Sequence, residues 1–169
     1  RMGQKVCSSK CGLALAASER VKAADAAHRK RRRALRDNDK AFQTKKAQEA
    51  FNKYIRTRDM HLPCVSCGRY HQGQYHAGHY RPVGNNSALR FNEINCWRQC
   101  SVCNNHRSGE LVSYRQELVN RIGESLVEWL EKDHPKTTPW TIEELKGIRK
   151  YYTDAYQAMI KTAGEADIF

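Results

Sequence analysis

Two Cys-x-x-Cys pairs set the chemistry this sequence can support: Cys64-Val65-Ser66-Cys67 and Cys100-Ser101-Val102-Cys103. Zn2+ takes four thiolate or imidazole ligands tetrahedrally, and a C-x2-C turn presents two sulfurs to one ion with little strain. The four cysteines therefore predict one zinc site, closed and structural, a staple with no chemistry of its own. The stretch between the pairs is longer than in a typical finger and leaves room for a functional excursion. His76 and His79 lie in it, Asn95 precedes Cys100 by five residues, and Asn104 and His106 follow Cys103. A phosphodiester nuclease needs a base to activate water and a divalent cation to neutralise charge on the transferring phosphate, and these side chains are parts of that kind. The competing readings are a packed or surface His79, and a His76 and His106 that contact phosphate or are merely exposed. His28, His61, His71 and His134 have no motif behind them and read as surface residues.

The other three cysteines read differently. Cys96, four residues before Cys100, is expected to be a small buried residue. Cys7 and Cys11 form a C-x3-C pair, half of a metal site that residues upstream in a longer chain would complete. A start at Arg1 ahead of Met2 fits a fragment or added leading residues. Seven cysteines without a secretory signal favour metal binding over a disulfide framework. With no run of 18 or more apolar residues, a soluble intracellular protein is expected, with no membrane partner.

The elements that must position these residues fall into three regions of the 169-residue chain. From Leu13 to Arg58 the sequence is rich in Ala, Lys, Arg, Glu and Gln and reads as helix. Its first part has only a thin apolar stripe, Val21, Ala24, Ala27 and Leu35, beside the run Arg29-Lys30-Arg31-Arg32-Arg33. Such a helix is expected to project into solvent, onto DNA or against a second copy. Ala47, Ala50, Phe51, Tyr54 and Ile55 have i, i+3, i+4 spacing and should dock on the domain that follows. Over residues 63–108, Gly, Asn, Cys, His and aromatics take over, with a short strand over Tyr75 to Tyr80 and a turn at Val83 to Ser87. This region has too few large aliphatics to hold itself together without metal. Two amphipathic helices are expected to close the chain. Leu111, Leu118, Ile122, Leu126 and Leu130, with Trp129, lie on the first, and a Thr141/Glu144 capping box starts the second. Asp133 to Trp140, with two prolines, is the linker between them.

Charge separates the regions further. Of the net charge of +12, residues 1–63 hold 17 Lys and Arg against 6 Asp and Glu, and the remainder holds 13 against 12. A concentrated basic segment favours polyanions, because each neutralised phosphate releases condensed counterions. Nucleic acid is the first candidate partner and an anionic membrane surface a weaker one; a solvated charged helix is the plain alternative. Arg81, Arg90 and Arg107 flank the candidate site and suit phosphate contact, or are ordinary surface arginines.

The order C-x2-C, histidine on a presumed strand, Asn, C-x2-C-Asn resembles the His-Me finger (ββα-metal, HNH-type) nucleases in their zinc-stapled form. Leu62-Pro63-Cys64-Val65-Ser66-Cys67-Gly68, Ala77-Gly78-His79-Tyr80-Arg81, Leu89-Arg90-Phe91-Asn92-Glu93 and the segment Gln99 to Gly109 resemble the lambdoid phage NinG (Rap) recombination endonucleases, and the likeness extends through Trp140 to Glu144. Cys7 and Cys11 are similar to the second half of that family's N-terminal cysteine cluster.

The resemblance implies cleavage of branched DNA, Holliday junctions and D-loops, by a Mg2+-dependent mechanism in which Mn2+ can substitute. By position it makes His79 the general base, Asn104 a ligand of the catalytic metal, and Asn95 the residue that holds the His79 loop or ring. Where related nucleases place an acidic or histidine ligand before the base, this chain has Gly78; His76 and His106 are the substitutes. A homodimer is expected, because a four-way junction needs two nicks, along with recombination proteins as further partners. The location implied is the cytoplasm or nucleoid of a bacterial host, from a phage or prophage gene. A non-catalytic zinc-dependent DNA-binding module and a sequence-specific HNH-type nuclease are the alternatives. The expected architecture is α+β: residues 1–12 the cysteine-cluster remnant, 13–60 a long basic helical arm, 61–110 a zinc-bound ββα-metal core, 111–163 a helical pair and 164–169 a tail. That tail, Glu165 to Phe169 with its flanking residue, reads as frayed, with docking on a partner as the alternative.

Overall fold

The computed structural model describes residues 6–166; what was expected of residues 1–5 and of the tail beyond Ala166 lies outside the described residues. Helix α1 spans Ser9–Asp37 and is started by Ser8, whose hydroxyl accepts from the Cys11 amide at 3.3 Å. None of its side chains is buried, as its thin apolar stripe predicts. The expected single helix is interrupted at Asn38 and Asp39, because short polar side chains compete for local backbone groups. The Asp39 carboxylate accepts from the Phe42 amide at 3.1 Å and so starts α2, Lys40–Arg58.

The chain divides into two compact units after Gln43. In the first, Gln43 donates to the Arg36 carbonyl at 3.2 Å and the Arg36 guanidinium lies 5.7 Å from the Phe42 ring centre.

The second unit is built around an antiparallel hairpin, β1 (Tyr75–His79) against β2 (Cys96–Cys100), with Tyr75 opposite Cys100 and His79 opposite Cys96. Side chains alternate across a strand, so Ala77, His79 and Cys96 share one face while His76, Gly78, Trp97 and Gln99 share the other. The first face packs on Phe51 and Ile55 of α2 and on Tyr152. Ala47, Phe51 and Ile55 are fully buried, so the later part of the basic region docks as its spacing predicts; each of the two larger side chains contributes roughly 1.5–3 kcal/mol by burial. On the second face, Trp97 packs against a cluster of Val65, Tyr80, Leu89, Tyr114, Leu118, Val127 and Leu130.

The first of the two expected C-terminal helices is in fact two, α3 (Leu111–Ile122) and α4 (Glu124–Glu131). Gly123 separates them at φ 85°, a left-handed backbone that a side chain would oppose. The bend turns Val127 and Leu130 into the core and leaves Leu126 and Trp129 at 44% and 40% exposure, off the single stripe that a continuous helix would have made. The last helix, α5, runs from Ile142 to Ala166, three residues into the expected tail. Its capping box is present: Thr141 N–H donates to Glu144 Oε2 at 2.7 Å and Glu144 N–H to Thr141 Oγ1 at 3.1 Å. The fold is thus helix-dominated, with one small sheet. Among the described residues no helix is long and apolar enough to cross a membrane.

Candidate functional site

Cys64, Cys67, Cys100 and Cys103 converge, with all four sulfurs within 4.8 Å of one another. A tetrahedral Zn2+ with Zn–S bonds near 2.3 Å needs sulfurs about 3.8 Å apart, so a small contraction accommodates the ion. The cluster is nearly closed to solvent, with Cys64, Cys100 and Cys103 buried and Tyr75 packed beside them. Burial alone would raise the Cys64 thiol, but amide N–H groups, that of Cys100 foremost at 3.3 Å, outweigh it and hold the thiol below its ordinary value. Burial pushes Cys67 up, as it does Cys103, whose thiol also donates to Glu110 at 3.0 Å. A metal that replaces those protons suits four such thiols, and four sulfur donors suit zinc.

A buried amide joins the two knuckles. Gln99 Nε2 donates to Ser66 Oγ of the first knuckle at 2.6 Å and to the Gly109 carbonyl beyond the second at 2.7 Å. Ser66 Oγ donates to the same carbonyl at 2.9 Å. That carbonyl is presented by three successive residues with positive φ, Ser108 at 50°, Gly109 at 85° and Glu110 at 46°. The Gln99 side chain lies against Gly78, where an added Cβ would fall 2.1 Å from Oε1 and 3.0 Å from Cβ. A side chain at position 78 would therefore require Gln99 to shift.

His79 ends β1, half-buried, its ring 6.0 Å from that of Phe51 and stacked on it. Its Nε2 lies 2.9 Å from the Arg90 carbonyl; donation to that oxygen places the proton on Nε2 and leaves Nδ1 as an acceptor. Burial holds its pKa below the ordinary histidine value, although the Arg90 carbonyl acts in the other direction. Asn95, fully buried, fastens the chain just past His79 rather than the ring: Oδ1 accepts from the Arg81 amide at 2.8 Å and Nδ2 donates to the Arg81 carbonyl at 3.1 Å.

His76 leaves the opposite face of β1 from His79. Its Nε2 is 3.5 Å from Asn105 Nδ2, in the π-helical turn Val102–His106 that also carries Asn104 and an exposed His106. Asn104 donates to Asn105 at 2.8 Å. Among the described residues the four cysteines are the one group of three or more His, Cys, Asp or Glu that comes together.

Of the arginines, Arg90 donates to Gln48 at 3.3 Å, Arg107 is exposed and paired with Glu110 at 2.6 Å, and Arg81 is partly buried. Arg29 to Arg33 are exposed on α1, where Arg33 lies 3.9 Å from Asp37. Cys96 is buried as expected. The Cys7 and Cys11 sulfurs approach to 3.3 Å.

Sequence reasoning missed three residues. Gln99 had no motif. Asp59, almost wholly buried, pairs with Arg58 at 2.6 Å and accepts from the Arg98 amide at 3.0 Å; a lone acidic residue after a helix carries no signal of this. His71, read as a surface residue, brings Nε2 to 3.1 Å from Cys67 Sγ; its place four residues after a knuckle cysteine was the available hint.

A family described as "Bacteriophage Lambda NinG protein" matches residues 1–163. Protein ninG of Escherichia phage lambda is 42% identical over 95% of this chain and 86% of its own length, and that of Salmonella phage P22 is 42% identical over the same shares. Protein ninG of Enterobacteria phage H19B is 48% identical over 65% of this chain and 54% of its own. No solved structure matches significantly. A family match across nearly the whole length, joined to relatives above 40% identity over 95% of the chain, makes this protein a member of the NinG family.

Proposed function

We propose that this chain is a zinc-stapled His-Me finger nuclease that cuts branched DNA, with His79 as general base. The observation that carries the reading is the state of His79: Nε2 is tied to the Arg90 carbonyl, and burial favours the neutral ring. That leaves Nδ1 able to take a proton from water near neutral pH. In this role Nδ1 accepts the proton as the water oxygen bonds to phosphorus and the bond to the leaving strand oxygen breaks. Asn95 keeps the chain after His79 in register, and the knuckles pin the hairpin at its other end.

Asn104, with His76 or His106, would hold a Mg2+ or Mn2+ ion; Mg2+ is ordinarily bound by one or two protein groups, with water and phosphate oxygens filling its shell. When bound, the cation neutralises charge on the transferring phosphate. Arg81, Arg90 and Arg107 would contact phosphates near the cut, and Arg29, Lys30, Arg31, Arg32 and Arg33 would supply affinity that does not depend on sequence. Two nicks across a symmetric junction call for a homodimer, acting in the host cytoplasm or nucleoid alongside recombination proteins.

A second reading, a zinc-dependent DNA-binding module without catalysis, draws on the opposite projection of His76 and His79. Nicking of linear duplex, Y-fork and four-way junction substrates with Mg2+ separates the two. Under the nuclease reading His79→Ala binds the junction normally and loses about 100-fold or more in rate. Undiminished cleavage with intact binding overturns the assignment of His79. A parent protein that binds in a zinc-dependent way but nicks nothing with any divalent cation establishes the second reading, and cutting of linear duplex at a fixed sequence points to the sequence-specific alternative.

A further inference from the structure

A zinc ion bound by four thiolates carries a net charge of −2, and a site nearly closed to solvent must offset it with donors aimed at sulfur. The donors in this centre are unevenly placed. Cys64 receives the Cys100 amide at 3.3 Å and the Ser66 and Cys67 amides besides. Cys103 has a carboxylate beside it, Glu110 at 3.0 Å, which offers a thiolate nothing. Cys67 receives the Arg69 backbone amide and has, besides, the His71 imidazole, with Nε2 at 3.1 Å from its sulfur.

The His71 ring is held in that position. Its own backbone amide donates to the Tyr75 hydroxyl at 2.7 Å, and its ring meets the edge of Tyr75 at 6.2 Å between centres. Tyr75 is a buried strand residue, opposite Cys100 in the hairpin, with the Arg98 guanidinium 3.6 Å from its ring centre. A loop residue anchored to the first position of β1 is therefore presented to a ligand of the first knuckle.

We propose that His71 donates its Nε2 proton to the Cys67 thiolate and thereby sets the affinity of the four-cysteine centre for zinc, as a positioning residue outside the ligand set. This rests on the reading of the four cysteines as a zinc site. Partners of this kind typically contribute 10–100-fold to metal affinity.

The test uses the full chain, loaded with Zn2+ in competition with a colorimetric chelator and, separately, with Co2+ for its absorption spectrum. His71→Ala is expected to weaken zinc binding by about 10–100-fold. His71→Gln, whose amide nitrogen reaches a similar distance, is expected to restore affinity to within a few-fold of the parent. The Co2+ spectra of all three proteins should show the same four-thiolate charge-transfer intensity. The proposal is overturned if His71→Ala binds zinc as the parent does, if His71→Gln is as weak as His71→Ala, or if the parent spectrum shows three thiolates and loses a nitrogen ligand in His71→Ala. Failure of the parent to take up one equivalent of Co2+ would overturn the zinc site itself, an outcome distinct from a silent His71.

Discussion

Replacing Gly78 by Ala should destabilise the second unit by about 2–4 kcal/mol, and the same collision accounts for the residue type at this position. The new methyl would sit 2.1 Å from Gln99 Oε1 and 3.0 Å from both Cβ and Cδ of that side chain. Gln99 cannot simply swing away, because it is 1% exposed and tied to Ser66 and Gly109 at 2.6 and 2.7 Å. Moving it strands buried polar groups, at roughly 1–3 kcal/mol, and overpacking adds roughly 1–3 kcal/mol more, part of which relaxation recovers. The cost should disappear once Gln99 is truncated: in a Gln99→Ala background, Gly78→Ala should be neutral or stabilising by up to about 1 kcal/mol, since Gly in a strand interior is itself unfavourable. Urea unfolding of the four proteins closes a double-mutant cycle with an expected coupling of about 2–5 kcal/mol. A Gly78→Ala penalty below about 0.5 kcal/mol, or an equal penalty in both backgrounds, would refute the collision. The same geometry predicts that Gly78→Asp does not create a metal ligand next to His79 but disrupts the knuckle clamp.

Metal chelation, or Cys103→Ser, should lower the thermal midpoint sharply, because the apolar cluster at the knuckles, Cys64, Tyr75, Cys100 and Cys103, is built mainly of the candidate ligands themselves; identical melting curves with and without chelator would exclude a structural metal. His79 should make stability depend on pH. Its folded pKa lies below the unfolded one through burial, so the unfolded state binds the proton more readily, and the contribution is intact at neutral pH and lost as pH falls through the ordinary histidine range. Urea midpoints measured from about pH 5 to 7.5 should show that slope in the parent and a shallower one in His79→Gln; equal slopes would show that the ring is not held neutral. Changing Arg29, Lys30, Arg31, Arg32 and Arg33 to Gln should weaken DNA binding and flatten the slope of log affinity against log salt by at most about 4.5. An unchanged slope would remove α1 from the interface.

What was legible in the sequence was what repeats or pairs locally. The knuckles follow from spacing alone, and the docking of α2 through Ala47, Phe51 and Ile55 follows from helical period. The Thr141/Glu144 box is a contact between residues three apart, so it too could be read directly. The break at Gly123 carried a signal that the apolar stripe masked: Leu126 and Leu130 continue a helical spacing on paper, while the left-handed backbone turns one outward and the other in.

The illegible features are contacts over long sequence separations, where residue type alone names no partner. Gln99 finds Ser66 33 residues away, and Arg98 finds Asp59 at a separation of 39. The hairpin register is the most consequential of these, since the odd spacing between His76 and His79 sends one ring toward Asn105 and the other toward Phe51. A base on one face and a metal ligand on the other can act on one phosphate only where the strand ends, and His79 is the last residue of β1. Asn104 and His106 lie in the turn that follows β2, at the end of the hairpin opposite His79, because Cys100 pairs with Tyr75. Truncating His76, Asn104 and His106 one at a time, and measuring the Mg2+ concentration that each variant needs for half-maximal nicking, decides which of them shares a cation with the chemistry at His79. If His79 is the base and none of the three shifts that requirement, the catalytic cation is held by residues that sequence position did not reveal.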